Sequence, residues 1–482
     1  MSLLTRSSIA PRLEVLTPDD VGRIDASVMR VLWEIGLEFP HEEALTLFRE
    51  AGASIRGTRV LIPNRVVMDA LRQAPSSVTL HRRDGTAAFA LEGNEVHFGT
   101  GGTALYYYDV GTGQRRPSTR QSVADAARLC DFLPNVEWSM ATGVPSDVPV
   151  HVADVHGFHQ TILNHRKPTY SSAVSAAGLA TMIEMCTIIA GSLVALQKRP
   201  FFTTGIDPNS PLQYGESVVA KLLVMAGAGL PIIINCSPLA GGTGPATMAG
   251  TVVLTLAEGL AGLVLAQLKR PGVPVIMGGG LTTLDMQTPM VCQGAPELVL
   301  MTAAVAQMGR HYGVPSYGVA GSSNSKILDA QAVIEFANSI LGSALGGCNL
   351  VHGLGFLDSG MTVIPEGFVL SDEILAMDHR IAGGLAVDDE HLALDVLERV
   401  GPGGHFLADD HTLSHFRENH RSKLIDRRNY DGWVRAGSKT MDQQMSEKAA
   451  WILATHHPEP LPDDVLRELD VVISRREHDA QS

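Results

Sequence analysis

His352 is the first residue in this sequence whose type and position could serve chemistry. It lies near the end of a short apolar run, Cys348 to Leu354, and glycines follow at Gly353 and Gly355. An apolar run that ends in glycines is typical of a buried parallel strand that leaves the sheet into a loop. Catalytic groups of α/β folds collect at such strand ends, although a lone histidine in an apolar run is often a hydrogen-bonded core residue.

Aromatic side chains make up only 5% of this chain, yet several of them end or follow apolar runs of the same kind. An aromatic face attracts a quaternary ammonium group, so such rings suit a small apolar or cationic ligand. About half of the rings should fill the core instead. An asparagine at a strand end adds a polar group. The predicted substrate-binding residues are Tyr106, Trp138, Tyr170, Phe202, Asn235, Tyr317 and Phe356.

Other catalytic motifs are weak in this sequence. No nucleophile elbow and no P-loop is found. His411 and His415 are four residues apart, which places them on one helix face, but a lone pair of this kind is more often a hydrogen-bonded cluster than a metal site. The five cysteines lie far apart without a C-x-x-C pair, so neither a zinc ribbon nor a disulfide framework is indicated. We therefore predict no metal site.

The elements that must position these residues form a repeating pattern. Apolar runs, most of them opened by a proline and ended by Gly, Ser or Asn, alternate with helical segments. Eight such units predict a (β/α)8 barrel, a TIM barrel in which parallel strands are each followed by a helix. A doubly wound open sheet is the alternative, but its glycine fingerprint is missing. The predicted strands are 96–101, 136–144, 168–173, 200–205, 231–236, 274–279, 315–320 and 348–354.

Three parts of the chain follow from this pattern. Residues 1–95 form an N-terminal α+β module, which begins with a helix capped by Thr17 and ends in a turn-rich segment. Residues 96–365 form the barrel. Residues 366–482 are predicted as a C-terminal helical extension packed on the barrel, because the alternation of strands and helices stops near residue 370.

The composition restricts the possible partners and the location. The net charge is -14 and no stripe of Lys and Arg is present, which argues against nucleic acid. The N-terminus lacks the apolar core of a signal peptide. The longest apolar stretch, Thr247 to Leu268, contains Glu258 and is predicted as a buried helix with no membrane contact. We therefore expect a cytoplasmic protein, and we expect it to form a homo-oligomer.

Three segments together resemble a known family. They are NSKILDAQA at 324–332, NLVHGLGFLDSGMTVIPEGFVLSDEI at 349–374 and GPGGHFLADDHTLSHFRENH at 401–420. The chain resembles the trimethylamine:corrinoid methyltransferase family, in its branch without pyrrolysine, over nearly its whole length. The resemblance implies a (β/α)8 barrel and transfer of a methyl group from a methylated amine to cob(I)alamin. It also implies that a separate small corrinoid protein carries this cofactor and meets the barrel mouth.

The absence of pyrrolysine bears on the substrate that the resemblance implies. Because the chain has only standard residues, the resemblance points to a quaternary amine such as glycine betaine or a related betaine. A quaternary ammonium already carries a good leaving group, so the site needs to orient the methyl group in a dry cavity and needs no acid. His352 would then contact the carboxylate of the betaine, and nearby aromatic rings would surround its cationic end.

Two alternatives remain open at this point. A different barrel enzyme, such as a lyase, would require a metal or a Schiff-base lysine, and Lys326 is the one lysine near a predicted strand end. A non-catalytic betaine-binding paralogue would keep the ligand site and lose the surface that docks the corrinoid protein. A neighbouring gene for a small corrinoid protein would favour catalysis over that second alternative.

Overall fold

The protein is built around a closed parallel barrel, described by a computed structural model for residues 11–479. Each strand pairs in parallel with the next. The eighth strand pairs with the first through Leu350 and His97, and a parallel bridge between Gly99 and Trp138 closes the ring. This confirms the predicted barrel. Its strands are His97–Thr100, Ser139–Met140, Thr169–Ser171, Phe202–Ile206, Ile232–Asn235, Val275–Gly278, Ser316–Val319 and Leu350–Leu354.

A helix follows every barrel strand and covers its outer face. Within residues 11–479, one of these helices, Met248–Lys269, is long and apolar enough to cross a membrane. It is mostly buried inside the protein, because helices on several sides pack against it. The helices are Arg120–Phe132, Ala153–Asn164, Ala176–Ala190 with Leu193–Lys198, Glu216–Ala228, Met248–Lys269, Pro296–Tyr312, Ala330–Gly346 and Pro365–Ala382.

The N-terminal segment begins with the helix Pro18–Arg30, which Thr17 and Asp20 cap reciprocally, and a π-helical turn, Val31–Ile35, extends it. Two further helices follow, Glu42–Glu50 and Asn64–Gln73. A three-stranded sheet accompanies them, made of Leu37–Glu38, Ser54–Arg56 and Arg59–Leu61.

A hairpin then closes the N-terminal end of the barrel. It consists of Val78–His81 paired with Ala87–Leu91. Apolar side chains of the hairpin, Leu80 among them, pack in one cluster with the rings that fill the barrel interior. The hairpin also bonds to the start of a barrel strand, since the amide of His81 donates to the carbonyl of Pro200. The bottom of the barrel is therefore plugged, and ligands must enter from the other end.

Two small sheets stand at the open end of the barrel, and the sequence did not reveal them as sheets. One joins Tyr106–Tyr108 and Arg115–Pro117 to Phe356–Leu357 and Thr362–Val363. The other joins Leu239–Ala240, Thr282–Asp285 and Met290–Val291. The segment that carries the three tyrosines is thus a strand and is no simple loop after the first barrel strand.

Helices occupy the C-terminal part, as the sequence pattern indicates. Buried side chains of Met441–Thr455, such as Ile452, share a core with the first barrel helix. His456 and Arg166 both contact the buried carboxylate of Asp131, at 2.9 Å and 3.0 Å. The proposed boundaries at 95 and 365 stay a prediction. The helices are Asp389–Leu392, Leu394–Val400, Asp410–His415, Tyr430–Arg435, Met441–Thr455 and Asp463–Asp479.

Candidate active site

A cavity of about 690 Å³ opens at the carboxyl ends of the barrel strands, where the active sites of such barrels lie. Three of the predicted site residues line it: His352, Asn235 and Phe356. A larger groove of about 820 Å³ lies between the N-terminal helix and the helix Met248–Lys269, but none of the predicted site residues lines it. The cavity at the barrel mouth is therefore the candidate active site.

The hydrogen bonding of His352 fixes its protonation. Its Nδ1 lies 3.0 Å from the carbonyl oxygen of Gly318, and a carbonyl can only accept, so Nδ1 carries the proton. Burial lowers the pKa of His352 to about 4, which keeps the ring neutral near pH 7. Nε2 therefore presents a lone pair and cannot donate to a substrate carboxylate. The hydrogen bond from His352 to a substrate carboxylate, which the resemblance implied, therefore has no donor.

The rings of Trp138, Tyr170 and Tyr317 lie beneath the cavity and do not line it. They form a ladder inside the barrel. Tyr170 lies 6.2 Å from both Trp138 and Tyr317, and Tyr317 stacks on His352 with ring centroids 4.9 Å apart. All three aromatic residues are fully buried. They support the floor of the cavity, and the predicted aromatic cage is reduced to Phe356.

Close backbone approach explains how large rings fit into a narrow barrel. A Cβ on Gly205 would lie 1.8 Å from the hydroxyl oxygen of Tyr170, and a Cβ on Gly99 would lie 2.3 Å from the ring of Trp138. Any side chain at these two positions would displace a ring of the ladder. The glycines in the first and fourth strands are thus required by the core beneath the site.

Two predicted ligand contacts lie elsewhere in the fold. Phe202 faces outward and packs on Phe158 of the helix Ala153–Asn164, with ring centroids 5.1 Å apart. Tyr106 belongs to the four-stranded mouth sheet, where the guanidinium of Arg115 lies 3.5 Å from the centre of its ring. That guanidinium already occupies one ring face of Tyr106. Neither residue lines the cavity.

Asp207 is the cavity residue that the sequence analysis missed. It directly follows the fourth barrel strand and lines the cavity. Its carboxylate accepts a hydrogen bond of 2.6 Å from Nδ2 of Asn235. Burial raises the pKa of Asp207, and the bond from Asn235 only partly opposes that effect. The sequence did offer a signal for Asp207, because an acidic residue stands directly after an apolar run that forms a fully buried strand.

Glu258 holds the loop that carries Asp207. This residue lies on the helix Met248–Lys269 and is fully buried. Its two carboxylate oxygens accept bonds of 2.8 Å each from the hydroxyl of Ser210 and the amide of Leu212. Burial raises the pKa of Glu258 to about 7. Glu258, which the sequence analysis predicted to lie in a buried helix, thus fixes the loop that forms one wall of the cavity.

The remaining sequence candidates lie outside the cavity. Lys326 is exposed, and its ammonium donates to the carbonyl of Asn324, 2.8 Å away. Asp329 caps the helix Ala330–Gly346 by accepting from the amide of Ala332. Neither residue lines the cavity.

The C-terminal histidines form a group of their own. His415 lies with His391 and Glu418 in a set whose nitrogen and oxygen atoms are all within 4.8 Å of one another. His415 bonds Glu418 at 2.6 Å, and the ring of His411 lies 4.2 Å from that of His415. Hydrogen bonds and charge pairs explain this arrangement without an ion. The expectation of no metal stays a prediction.

Comparison with known proteins gives a match over almost the whole chain. The family model described as trimethylamine methyltransferase (MTTB) matches residues 3–481. A trimethylamine methyltransferase MttB of Desulfitobacterium hafniense (strain DSM 10664 / DCB-2) is 34% identical over 461 residues, covering 95% of this chain and 93% of that protein. A glycine betaine methyltransferase of Desulfitobacterium hafniense (strain Y51) is 35% identical over 473 residues, covering 97% and 98%. A trimethylamine methyltransferase MttB of Methanosarcina thermophila is 32% identical over 465 residues, covering 95% and 96%.

Solved structures support the same fold at lower sequence identity. The hydroxylamine complex of MtmB is 14% identical with a TM-score of 0.51, covering 92% of this chain and 95% of that one. The monomethylamine methyltransferase (MtmB) of Methanosarcina barkeri is 12% identical with a TM-score of 0.50 and the same coverage. This likeness concerns the fold alone. The full-length sequence matches decide the family, and the chain belongs to the trimethylamine methyltransferase (MTTB) family.

Proposed function

We propose that this protein transfers a methyl group from a quaternary amine to a corrinoid protein. The observation that carries the proposal is the small cavity at the barrel mouth in a chain that matches such methyltransferases from end to end. The relatives include proteins named for trimethylamine and for glycine betaine. The sequence contains only standard residues, which favours a quaternary amine.

The residues of the cavity suit a reaction that needs positioning more than acid–base chemistry. A quaternary amine leaves as a neutral tertiary amine, so no proton has to be supplied to the nitrogen. His352 is neutral and held in place by Gly318 and by the ring of Tyr317. The lone pair on its Nε2 can orient the substrate, and the buried rings below exclude water.

The corrinoid is carried by a separate protein in this proposal, and in its cob(I)alamin state it supplies the nucleophile that takes the methyl group. Several glycines line the cavity. A Cβ on Gly101 would lie 2.6 Å from the ring of Phe356, and a Cβ on Gly102 would lie 2.5 Å from the methyl end of Met140. A side chain at Gly101 or Gly102 would therefore displace Phe356 or Met140, so the wall of the cavity requires glycine at both positions. Gly280, Gly353 and Gly360 line the same cavity.

A lyase is less well supported by the site. Lys326 does not line the cavity, and Lys221 donates its ammonium proton to the carbonyl of Ala173, 2.8 Å away. Among the described residues that line the cavity there is no lysine for a Schiff base. A non-catalytic binding paralogue would have the same cavity, so only an activity measurement separates it from the proposed enzyme.

The proposal is tested by mixing the purified protein with cob(I)alamin and single quaternary amines, with and without the cognate corrinoid protein. We expect the absorbance of methylated cobalamin to appear with at least one amine and to depend on the protein. A His352→Ala variant of normal melting temperature should transfer methyl groups about ten- to a hundredfold more slowly. Absence of transfer across cationic and zwitterionic amines, with the corrinoid protein present, would contradict the proposal.

A further inference from the structure

The charges around the cavity single out one residue. Among the described residues that line it, Asp207 is the only acidic or basic one apart from the neutral His352. None of these described lining residues is a lysine or an arginine. The other polar side chains in the lining are neutral hydroxyls and amides, such as Thr103, Asn209 and Ser322. An anionic group and no cation face the space in which the substrate would bind.

The carboxylate of Asp207 is held in a defined orientation. Gly280 donates its amide proton to the hydroxyl of Ser237 over 3.0 Å, and that hydroxyl donates to Oδ1 of Asn235 over 3.1 Å. Because Oδ1 is engaged, Nδ2 of Asn235 turns to Asp207, 2.6 Å away. Three strand ends therefore cooperate to position one carboxylate.

This carboxylate is also left short of partners. Within residues 11–479, the amide of Asn235 is the only hydrogen-bond donor that reaches it. The charge of Lys221 acts on it, but that ammonium is bound to the carbonyl of Ala173 and does not line the cavity. Asp207 is half-buried, and a carboxylate that is partly removed from water and has one hydrogen bond is stabilised when a positive charge joins it. A bound ammonium group would supply that charge.

On the basis of the proposed function, we propose that Asp207 is the counter-charge for the substrate's ammonium group and that the site prefers cationic quaternary amines to zwitterionic betaines. A betaine brings its own carboxylate into a cavity whose described lining holds Asp207 and no lysine or arginine, so like charges repel. His352 cannot offset this, because its one proton is bound to Gly318. A choline-like cation has no such group.

The experiment measures binding by calorimetry without any corrinoid, using choline, tetramethylammonium, glycine betaine and the neutral choline isostere dimethylbutanol. We expect choline to bind at least tenfold more tightly than both glycine betaine and dimethylbutanol. Asp207→Asn, which is isosteric, should weaken choline binding about ten- to a hundredfold and leave glycine betaine unchanged or tighter. Asp285→Asn is the matched control, because Asp285 lies on a mouth strand and does not line the cavity.

Each outcome has a definite meaning. Tighter binding of glycine betaine than of choline, or choline binding that is indifferent to Asp207→Asn, overturns the preference. If Asp207→Asn does not fold, the binding of choline and dimethylbutanol to the native protein tests whether the site recognises a positive charge. Equal affinity for the two compounds overturns the proposal. Choline that binds tightly through Asp207, while no quaternary amine yields methyl transfer with the corrinoid protein present, contradicts the proposed function and leaves the role of Asp207 intact.

Discussion

The imidazole of His352 lies flat on the ring of Tyr317, with centroids 4.9 Å apart and planes 5° apart. Stacking and the bond from Nδ1 to Gly318 fix the ring, and Nε2 is left without a partner among the described residues. The atoms of His352 that make structural contacts thus differ from Nε2, the atom proposed to face the substrate, and substitutions can test the two roles separately.

His352→Asn should keep the fold and lose function. Its amide nitrogen can replace Nδ1 as the donor to Gly318, whereas nothing replaces Nε2. We expect a melting temperature close to that of the native protein and a methyl-transfer efficiency lower by about ten- to a hundredfold. His352→Gln, which has a longer side chain, is measured alongside it. Transfer at the native rate by a folded His352→Asn protein would show that the residue only steadies the strand.

Acid should destabilise the protein partly through His352. Its pKa is lowered by burial from 6.5 in the unfolded chain to about 4 in the fold. Between these values the unfolded chain binds the extra proton, so stability is complete above about pH 6.5 and falls as the pH drops towards 4. The loss is at most about 3 kcal/mol for this group. Urea unfolding of the native protein and of His352→Asn at several pH values measures this. The unfolding free energy of the variant should depend less steeply on pH.

Glu258 should have the opposite effect on stability. Burial raises its pKa from 4.5 to about 7, so the folded protein holds the extra proton between these values. Stability contributed by this residue is therefore lost as the pH rises from about 4.5 to 7. Glu258→Gln keeps an acceptor for Leu212 and a partner for Ser210. We expect it to raise the unfolding free energy at pH 8 by about 1–3 kcal/mol and to change it little at pH 4.

Much of the barrel was predictable from the sequence because its strands are short apolar runs opened by proline, with helices between them. The side of the strand that each aromatic faces was not predictable. Parallel strands are buried on both faces, so Phe202 and Tyr170 stand in equally apolar surroundings although one ring points out and the other in. The polar–apolar alternation that marks the faces of an exposed sheet is missing.

The candidate site was predictable only in part for a similar reason. Asn235 ends its strand, His352 lies two residues before the end of the eighth strand, and Phe356 follows that strand at the start of a mouth strand. All three line the cavity. Asp207 follows a strand that ends one residue later than predicted, at Ile206, and precedes a proline as loop residues often do. The Arg115–Tyr106 contact joins two strands of a sheet that forms only when the mouth segments meet in three dimensions.

Phe202 and Phe356, which each begin a strand, should behave differently when they are replaced by leucine. Phe202→Leu affects the packing against Phe158 and should lower the unfolding free energy by less than about 3 kcal/mol without changing ligand binding. Phe356→Leu alters the cavity wall, so amine binding should weaken. Calorimetry with choline on both folded variants checks this. If both variants lost choline affinity equally, the placement of Phe356 in the cavity wall and of Phe202 on the outer face of the barrel would be contradicted.

The histidine cluster near the C-terminus should hold no stoichiometric zinc. His391, His415 and Glu418 have hydrogen bonds and charge partners that explain their positions. We expect metal analysis of protein purified in zinc-containing medium to give well under one zinc per chain. Zinc at one per chain that disappears in His415→Ala, but not in a His457→Ala control, would contradict this prediction.

The most direct test of the central claim follows the methyl group itself. A quaternary amine with deuterated methyl groups is incubated with the protein, the corrinoid partner and a reductant, and both products are analysed by mass spectrometry. The proposed function predicts one deuterated methyl group on the cobalamin for each tertiary amine formed, at a rate reduced in His352→Ala. Loss of the amine without label on the cobalamin, or no tertiary amine from any quaternary amine tested, would contradict it.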